Sequence, residues 1–184
     1  MGVFRVGELA RIARSTGVEA FERLLGPLVL IAPPEPDEVS GQHRLQGRRR
    51  FRTEDGSRTC APLSSLLDGI AHPVRKSQEA WAGADDVILI GRSEPNDVRL
   101  PHATISKFHA HIRLTPEGPE LLDAGSTNGT FYDGTRVRAG HKVRLADGHK
   151  LRLGDVQLDV YDPGRLHRVL SAFTHEPRTR LGNG

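Results

Sequence analysis

Between residues 85 and 162 the chain breaks into short apolar runs, each long enough for a β-strand and too short for a helix. They are VILIG (87–91), FHAHIRL (108–114), ELLD (120–123), TFY (130–132), KVRL (142–145), KLRLG (150–154) and VQLDVY (156–161). Turn signals separate them. Asn128-Gly129, Asp133-Gly134 and Asp147-Gly148 are hairpin-type pairs, because both residue types tolerate the positive φ that a tight turn requires. Seven or more short strands at this pitch predict an antiparallel sandwich or barrel.

The flanks have a different texture. Over residues 5–25, Leu9, Ile12 and Ala13 form one apolar stripe and Phe21, Leu24 and Leu25 another, at the spacings of two short helices broken at Gly17. Thr16 followed by Glu19 fits a capping box for the second helix, and Gly26-Pro27 stops it. APPEPDEVSGQ (32–42) has the composition of a linker. Residues 43–84 carry a basic run, Arg48-Arg49-Arg50, and a short apolar patch at Leu63–Ile70. Beyond the β region, Asp162-Pro163 reads as an N-cap and first turn, with Leu166, Val169, Leu170 and Phe173 on one stripe. The resulting division is a helical segment (1–31), a linker or irregular region (32–59), a β-sandwich (60–163, motif core 85–162), and a C-terminal helix and tail (164–184).

Composition removes several function classes. Apolar residues are 36% of the 184 and aromatics 5%, enough for a lean core. A single Cys excludes a disulfide framework and a cysteine metal cluster, and suits a reducing compartment. The longest apolar stretch, Leu24 to Ala32, is too short to span a bilayer, and the N-terminus lacks the pattern of a signal peptide. A cytoplasmic protein without a membrane segment is the expectation. The formal charge of +3 is unevenly spread: residues 1–84 carry +2, 85–163 carry −2 and 164–184 carry +3. The folded part is thus slightly acidic, which argues against a general nucleic-acid surface. Arginine far outnumbers the four lysines, a usage consistent with a GC-rich bacterial source.

Three clusters inside the β region carry chemistry: Gly91-Arg92 at the end of one strand, Ser106-Lys107-Phe108-His109 at the start of another, and Gly125-Ser126-Thr127-Asn128-Gly129-Thr130 in a loop. Each alone is commonplace. In this order and spacing, each where the strand pattern puts a loop end, they closely resemble the forkhead-associated (FHA) domain, a phosphothreonine-recognition module. The resemblance covers roughly 85–162 and implies an all-β fold, an FHA-type β-sandwich of two antiparallel sheets, with the short helical segments as N- and C-terminal extensions. It also calls for one or two further strands from residues 60–84.

The residue chemistry agrees. A phosphothreonine is close to dianionic at neutral pH and offers three strong acceptor oxygens. Holding it takes a planar donor fork, a second cation and short hydroxyl or backbone donors, which Arg92, Lys107, Ser106 and Thr127 provide. The resemblance implies that Arg92 and Ser106 bind phosphate, that Lys107 adds charge at the rim, and that Thr127 encloses the phosphothreonine. It implies that Asn128 holds the peptide backbone, that His109 is a buried brace, and that Gly91 and Gly129 are conformational positions.

As nucleophile and base, Ser106 and His109 would point to opposite faces of a strand, and no acidic orienting partner is apparent. The nine histidines form no metal-ligand constellation, and Asp123 suits the support of its loop. No catalytic residue, metal or cofactor is therefore expected. The N-terminal helices resemble a DNA reader, but the second carries Glu19 and Glu22 against Arg23 alone, a poor surface for a major groove. The leading expectation is a non-catalytic adaptor that binds a phosphothreonine-containing protein downstream of a Ser/Thr kinase. The alternatives are a phospho-independent scaffold and a DNA-binding regulator. An edge strand or the N-terminal helices could support a homodimer. Thr16, Thr53, Thr59 and Thr179 are candidate phosphoacceptors for an internal ligand.

Overall fold

A computed structural model describes residues 3–33, 66–77 and 86–173. The basic run at 48–50, the bulk of the linker, and Thr53, Thr59 and Thr179 lie outside the described residues. The fold is mostly β, with two sheets and short helices at the ends. Helices α1 (Val6–Ser15) and α2 (Val18–Leu25) follow a two-residue strand, β1 (Phe4–Arg5). Strands β2 (Val29–Ala32) and β3 (Ile70–Pro73) come next. Then follow β4 (Val87–Gly91), β5 (Val98–Arg99), β6 (Ala110–Thr115), β7 (Gly118–Asp123), β8 (Thr130–Tyr132) and β9 (Thr135–Arg136). The chain continues through β10 (Lys142–Arg144), β11 (Lys150–Leu153), β12 (Val156–Tyr161) and helix α3 (Pro163–Ala172).

A seven-stranded sheet in the order β1-β3-β2-β12-β11-β8-β9 faces a five-stranded sheet in the order β10-β7-β6-β4-β5. Every pairing is antiparallel except one: β5 lies parallel to β4, with Ile90 opposite Val98. The two sheets are otherwise antiparallel, as expected; at that edge the loop over 92–97 brings the chain round to run beside its own strand in the same direction. The inner faces interdigitate through Leu30, Ile88, Ile90, Ile112, Leu121, Leu151, Leu153, Leu158 and Val160. Alternation of side chains along each strand puts these on one side.

The helices form a third layer. Val6, Leu9, Ala13, Phe21, Leu25, Leu166 and Leu170 pack with Val29, Ile31, Ala71 and Tyr161 on the outer face of the larger sheet. Strand β2 is therefore covered on both sides: Val29 and Ile31 face the helices, Leu30 faces the sandwich, and all three are buried. A strand covered on both faces shows no polar alternation. Of the extra strands expected from 60–84, β3 comes from that stretch, while β2 comes from the helical segment and sits between β12 and β3.

Local chemistry explains the helix ends. Asp162 caps α3 by accepting the Arg165 N–H at 2.8 Å, with Pro163 at the first position. Gly26, at φ 81°, ends α2 and donates its N–H to Glu22. The Thr16–Glu19 capping box does not form. Gly17 occupies the N-cap of α2, and the Thr16 hydroxyl instead donates back to the Ile12 carbonyl at 2.8 Å. Across the layer, His167 Nε2 meets the Thr16 carbonyl at 2.9 Å and Arg14 donates to the Phe173 carbonyl at 3.1 Å, tying α3 to α1.

Two outcomes are expected. A chain beginning at residue 60 lacks β1, β2, α1 and α2 and should show no cooperative thermal transition, whereas 3–173 should show one; a cooperative melt of the shorter chain would contradict the role of β2. The second concerns His72 on β3, opposite Leu30 and 8% exposed. Burial lowers its pKa from 6.5 to about 4, so the unfolded chain takes up a proton before the folded one does. Stability should be full above pH 6.5 and fall as pH drops toward 4, by up to about 3 kcal/mol from this residue. Denaturant midpoints of wild type and His72→Leu across that window would check it, the variant showing the shallower slope.

Candidate functional site

Three loops meet at one end of the sandwich: 92–97 between β4 and β5, 100–109 between β5 and β6, and 124–129 between β7 and β8. They are joined mainly through backbone. The Arg92 N–H donates to the Ser106 carbonyl at 3.1 Å, which fixes the first loop against the second. The Thr127 N–H donates to Ser106 Oγ at 3.1 Å, and the two hydroxyl oxygens lie 3.4 Å apart, which brings in the third. Asn128 Nδ2 donates to the Thr104 carbonyl at 2.7 Å, leaving Oδ1 as that side chain's acceptor for a ligand.

Beneath this junction lies His109, fully buried. Its Nδ1 accepts the Ser106 N–H at 3.1 Å, so Nε2 carries the proton and donates to the Gly129 carbonyl at 3.3 Å. Burial lowers its pKa, outweighing the Gly129 carbonyl and the Asp123 charge, which act the other way. The neutral ring is what the geometry needs, since a protonated Nδ1 could not accept. With both nitrogens committed to backbone, His109 is not placed as a base toward the Ser106 hydroxyl.

Asp123 anchors the third loop. One carboxylate oxygen accepts the N–H groups of Gly125 and Ser126, each at 3.0 Å, and the other accepts the hydroxyls of Ser126 and Thr130, each at 2.6 Å. Partial burial works against its ionisation, but these hydrogen bonds hold its pKa below the usual carboxylate value. Its charge is absorbed by its own loop. Among the described residues, neither the Arg92 guanidinium nor the Lys107 ammonium has an acidic partner, and both are exposed. The three joined loops thus carry two exposed cations without acidic partners among the described residues, a Ser–Thr hydroxyl pair and an amide acceptor.

The two glycines differ in kind. Gly129, at φ 84°, occupies a conformation that side chains rarely adopt. Gly91 has no positive φ; there a Cβ would run into the Lys107 carbonyl and come within 2.8 Å of Asn96 Nδ2. Close approach of two chain segments, not backbone freedom, requires glycine at 91.

Three positioning residues escaped the sequence reading. Asn96, 4% exposed, donates Nδ2 to the Lys107 carbonyl at 2.7 Å and to the Ser93 carbonyl and hydroxyl at 2.9 and 3.0 Å. Ser93 Oγ also donates to the Lys107 carbonyl, at 2.8 Å. Thr104 accepts the Asp155 N–H at 3.0 Å on its hydroxyl besides the Asn128 contact. The signal available in sequence was Pro95-Asn96-Asp97, a turn cluster directly after Gly91-Arg92. No three His, Cys, Asp or Glu side chains come together among the described residues. Nor is any helix there long and apolar enough to cross a membrane. An open cleft between α2 and α3 is lined by Glu19, Glu22 and Asp162 against Arg23, the wrong sign for an anion.

Residues 88–154 match the FHA domain family model. The chain is 35% identical over 113 residues to the ABC transporter ATP-binding/permease protein Rv1747 of Mycobacterium tuberculosis, covering 61% of this chain and 12% of that one. The chain therefore spans about an eighth of that relative's length. Among solved structures, the FHA-2 domain of the same transporter is 32% identical, with 45% of this chain and 74% of that chain covered and a TM-score of 0.36. EmbR of M. tuberculosis, solved with a low-affinity phosphopeptide, is 30% identical, covering 50% and 22% respectively, with a TM-score of 0.39.

Asn96→Ala should lower stability by about 1–3 kcal/mol, because a buried side chain that joins the Lys107 and Ser93 carbonyls is lost, and should speed amide exchange in 92–108. Gly91→Ala should do worse, since the Lys107 backbone itself must move. Thermal melts with hydrogen exchange would check both; protection of 92–108 unchanged in Asn96→Ala would remove its positioning role.

Proposed function

We propose that this chain, which carries an FHA domain over residues 88–154, is a phosphothreonine-dependent protein-binding adaptor in Ser/Thr kinase signalling. The observation that carries the reading is the Ser106–Thr127 hydroxyl pair on loops that also bear Arg92 and Lys107, two exposed cations with no acidic partner among the described residues. A phosphate dianion in that place converts neutral contacts into charge-assisted ones. It accepts from the Ser106 and Thr127 hydroxyls, takes the planar fork of Arg92, and gains the Lys107 charge. Asn128 Oδ1 accepts an N–H from the extended peptide beside it. His109, Gly91 and Gly129 hold the loops without touching the ligand.

The adaptor is non-catalytic on this reading. His109, the base candidate for Ser106, has both ring nitrogens engaged by backbone. Its partner is a protein phosphorylated on threonine by a Ser/Thr kinase, and its setting is the cytoplasm.

Calorimetric titration with an oriented phosphothreonine peptide library, followed by the best peptide, tests the reading. Binding should require the phosphate. Arg92→Ala should weaken it by about 1.5–3 kcal/mol, the loss of hydrogen bonds to a charged group. Replacing phosphothreonine by phosphoserine should cost about 1–3 kcal/mol for the missing methyl. Equal affinity for the phosphoserine twin, or undiminished binding by Arg92→Ala, would sink it.

A further inference from the structure

We infer that Phe108 forms an apolar subsite of this face, taking an aliphatic side chain of the bound peptide close to the phosphothreonine. The inference rests on the phosphothreonine reading above and adds a requirement to it.

The chain has six Phe, two Tyr and one Trp. Among the described residues Phe108 is the exposed aromatic, with 46% of its surface open, while the other exposed large apolar residues are the aliphatic Val3, Val18 and Ile70. The backbone on either side of it is held. On one side the Lys107 carbonyl is held by Asn96 and Ser93. On the other, His109 is fully buried, its N–H donated to the Ile90 carbonyl at 2.8 Å and its carbonyl accepting the Ala124 N–H at 3.0 Å. With the backbone fixed on both sides of the exposed ring, little backbone ordering remains to be done when a ligand covers it.

Its place relative to the anion site fixes the occupant. Phe108 follows Lys107 directly and lies two residues from Ser106, so their Cα atoms are at most about 7 Å apart. An extended peptide anchored at Ser106 that runs toward Phe108 meets the ring at a residue within about three of the phosphothreonine. The cations Arg92 and Lys107 stand beside it without acidic partners among the described residues. They repel a peptide Lys or Arg that would otherwise stack on the ring, and they draw a peptide carboxylate to themselves rather than to it. An apolar side chain is what remains to gain from contact with the ring.

The experiment walks a single Leu through the three positions on either side of phosphothreonine in an otherwise polar peptide. Wild type, Phe108→Ser, Phe108→Leu and Arg92→Ala are titrated by calorimetry. At one or two positions wild type should gain about five- to tenfold in affinity from the Leu. Phe108→Ser should lose that gain while binding the all-polar phosphothreonine peptide as wild type does, and Phe108→Leu should keep part of it. A flat walk in wild type, or a gain that survives in Phe108→Ser, overturns the subsite while leaving the phosphothreonine reading intact. A flat walk with a change of sedimentation in Phe108→Ser also overturns it, assigning the ring to contact between copies. If folded wild type binds none of the peptides, and Arg92→Ala is no different, the phosphothreonine reading falls and the subsite with it.

Discussion

One neutral imidazole joins the two halves of the ligand face. His109 belongs to the strand entrance of the five-stranded sheet, and the Gly129 carbonyl it meets belongs to the turn leading into the seven-stranded sheet. Its other nitrogen takes the N–H of Ser106, the residue whose hydroxyl lies against that of Thr127. The same Gly129 carbonyl also accepts the Gly154 N–H at 3.0 Å, so the turn is held from both sheets. The hydroxyls of Ser106 and Thr127 come to one place because their backbones hang on this buried bridge, whose strength depends on the ring staying neutral.

Around that bridge the loops are held by groups that a phosphate does not need. Asn96 and Ser93 share the Lys107 carbonyl, Asp123 gathers four donors within its own loop, and Thr104 receives both Asn128 and Asp155. Deeper still, Asp97 has a fully buried side chain that accepts from Leu89, Ser77 and Lys76, fastening the segment after β3 beneath β4. A buried carboxylate with two backbone donors and a lysine is compensated rather than isolated. These supports leave Arg92 and Lys107 free of duties in the fold.

Much of this was legible from residues alone, and the exceptions have physical causes. The spans of β4, β8 and β12 coincide with their apolar runs because each is bounded by a turn residue. The Asp133-Gly134 turn shows the positive φ at both residues that its sequence implies. Strand β2 was hidden because helices on one side and the second sheet on the other remove the alternation by which strands are read. The parallel β4–β5 pair was hidden because a two-residue strand has no pattern. Thr16 misled because a hydroxyl at a helix junction can serve either helix, and here the C-terminal turn of α1 takes it. Asn96 was overlooked because its work is done on a backbone carbonyl of a residue 11 positions away, a contact no local pattern encodes.

The charge distribution gains meaning from the geometry. Residues 85–163 carry a formal −2, so the field of the whole module would not draw an anion to the proposed ligand face. Its acids are instead occupied: Asp97 by Lys76, Asp123 by its own loop, Glu94 by Arg99 at 3.6 Å, Glu120 by Lys142 and Asp159 by Lys150. On the loops at that end, the Arg92 and Lys107 side chains are exposed and have no ion-pair partner among the described residues. Such a surface discriminates by contact, because screening confines exposed charges to about a Debye length, 8–10 Å at moderate salt. A long polyanion spread over the module would meet the acidic remainder, whereas one doubly charged group set among Arg92, Ser106, Lys107 and Thr127 would not. The same arithmetic that argues against nucleic acid therefore favours a single compact phosphate.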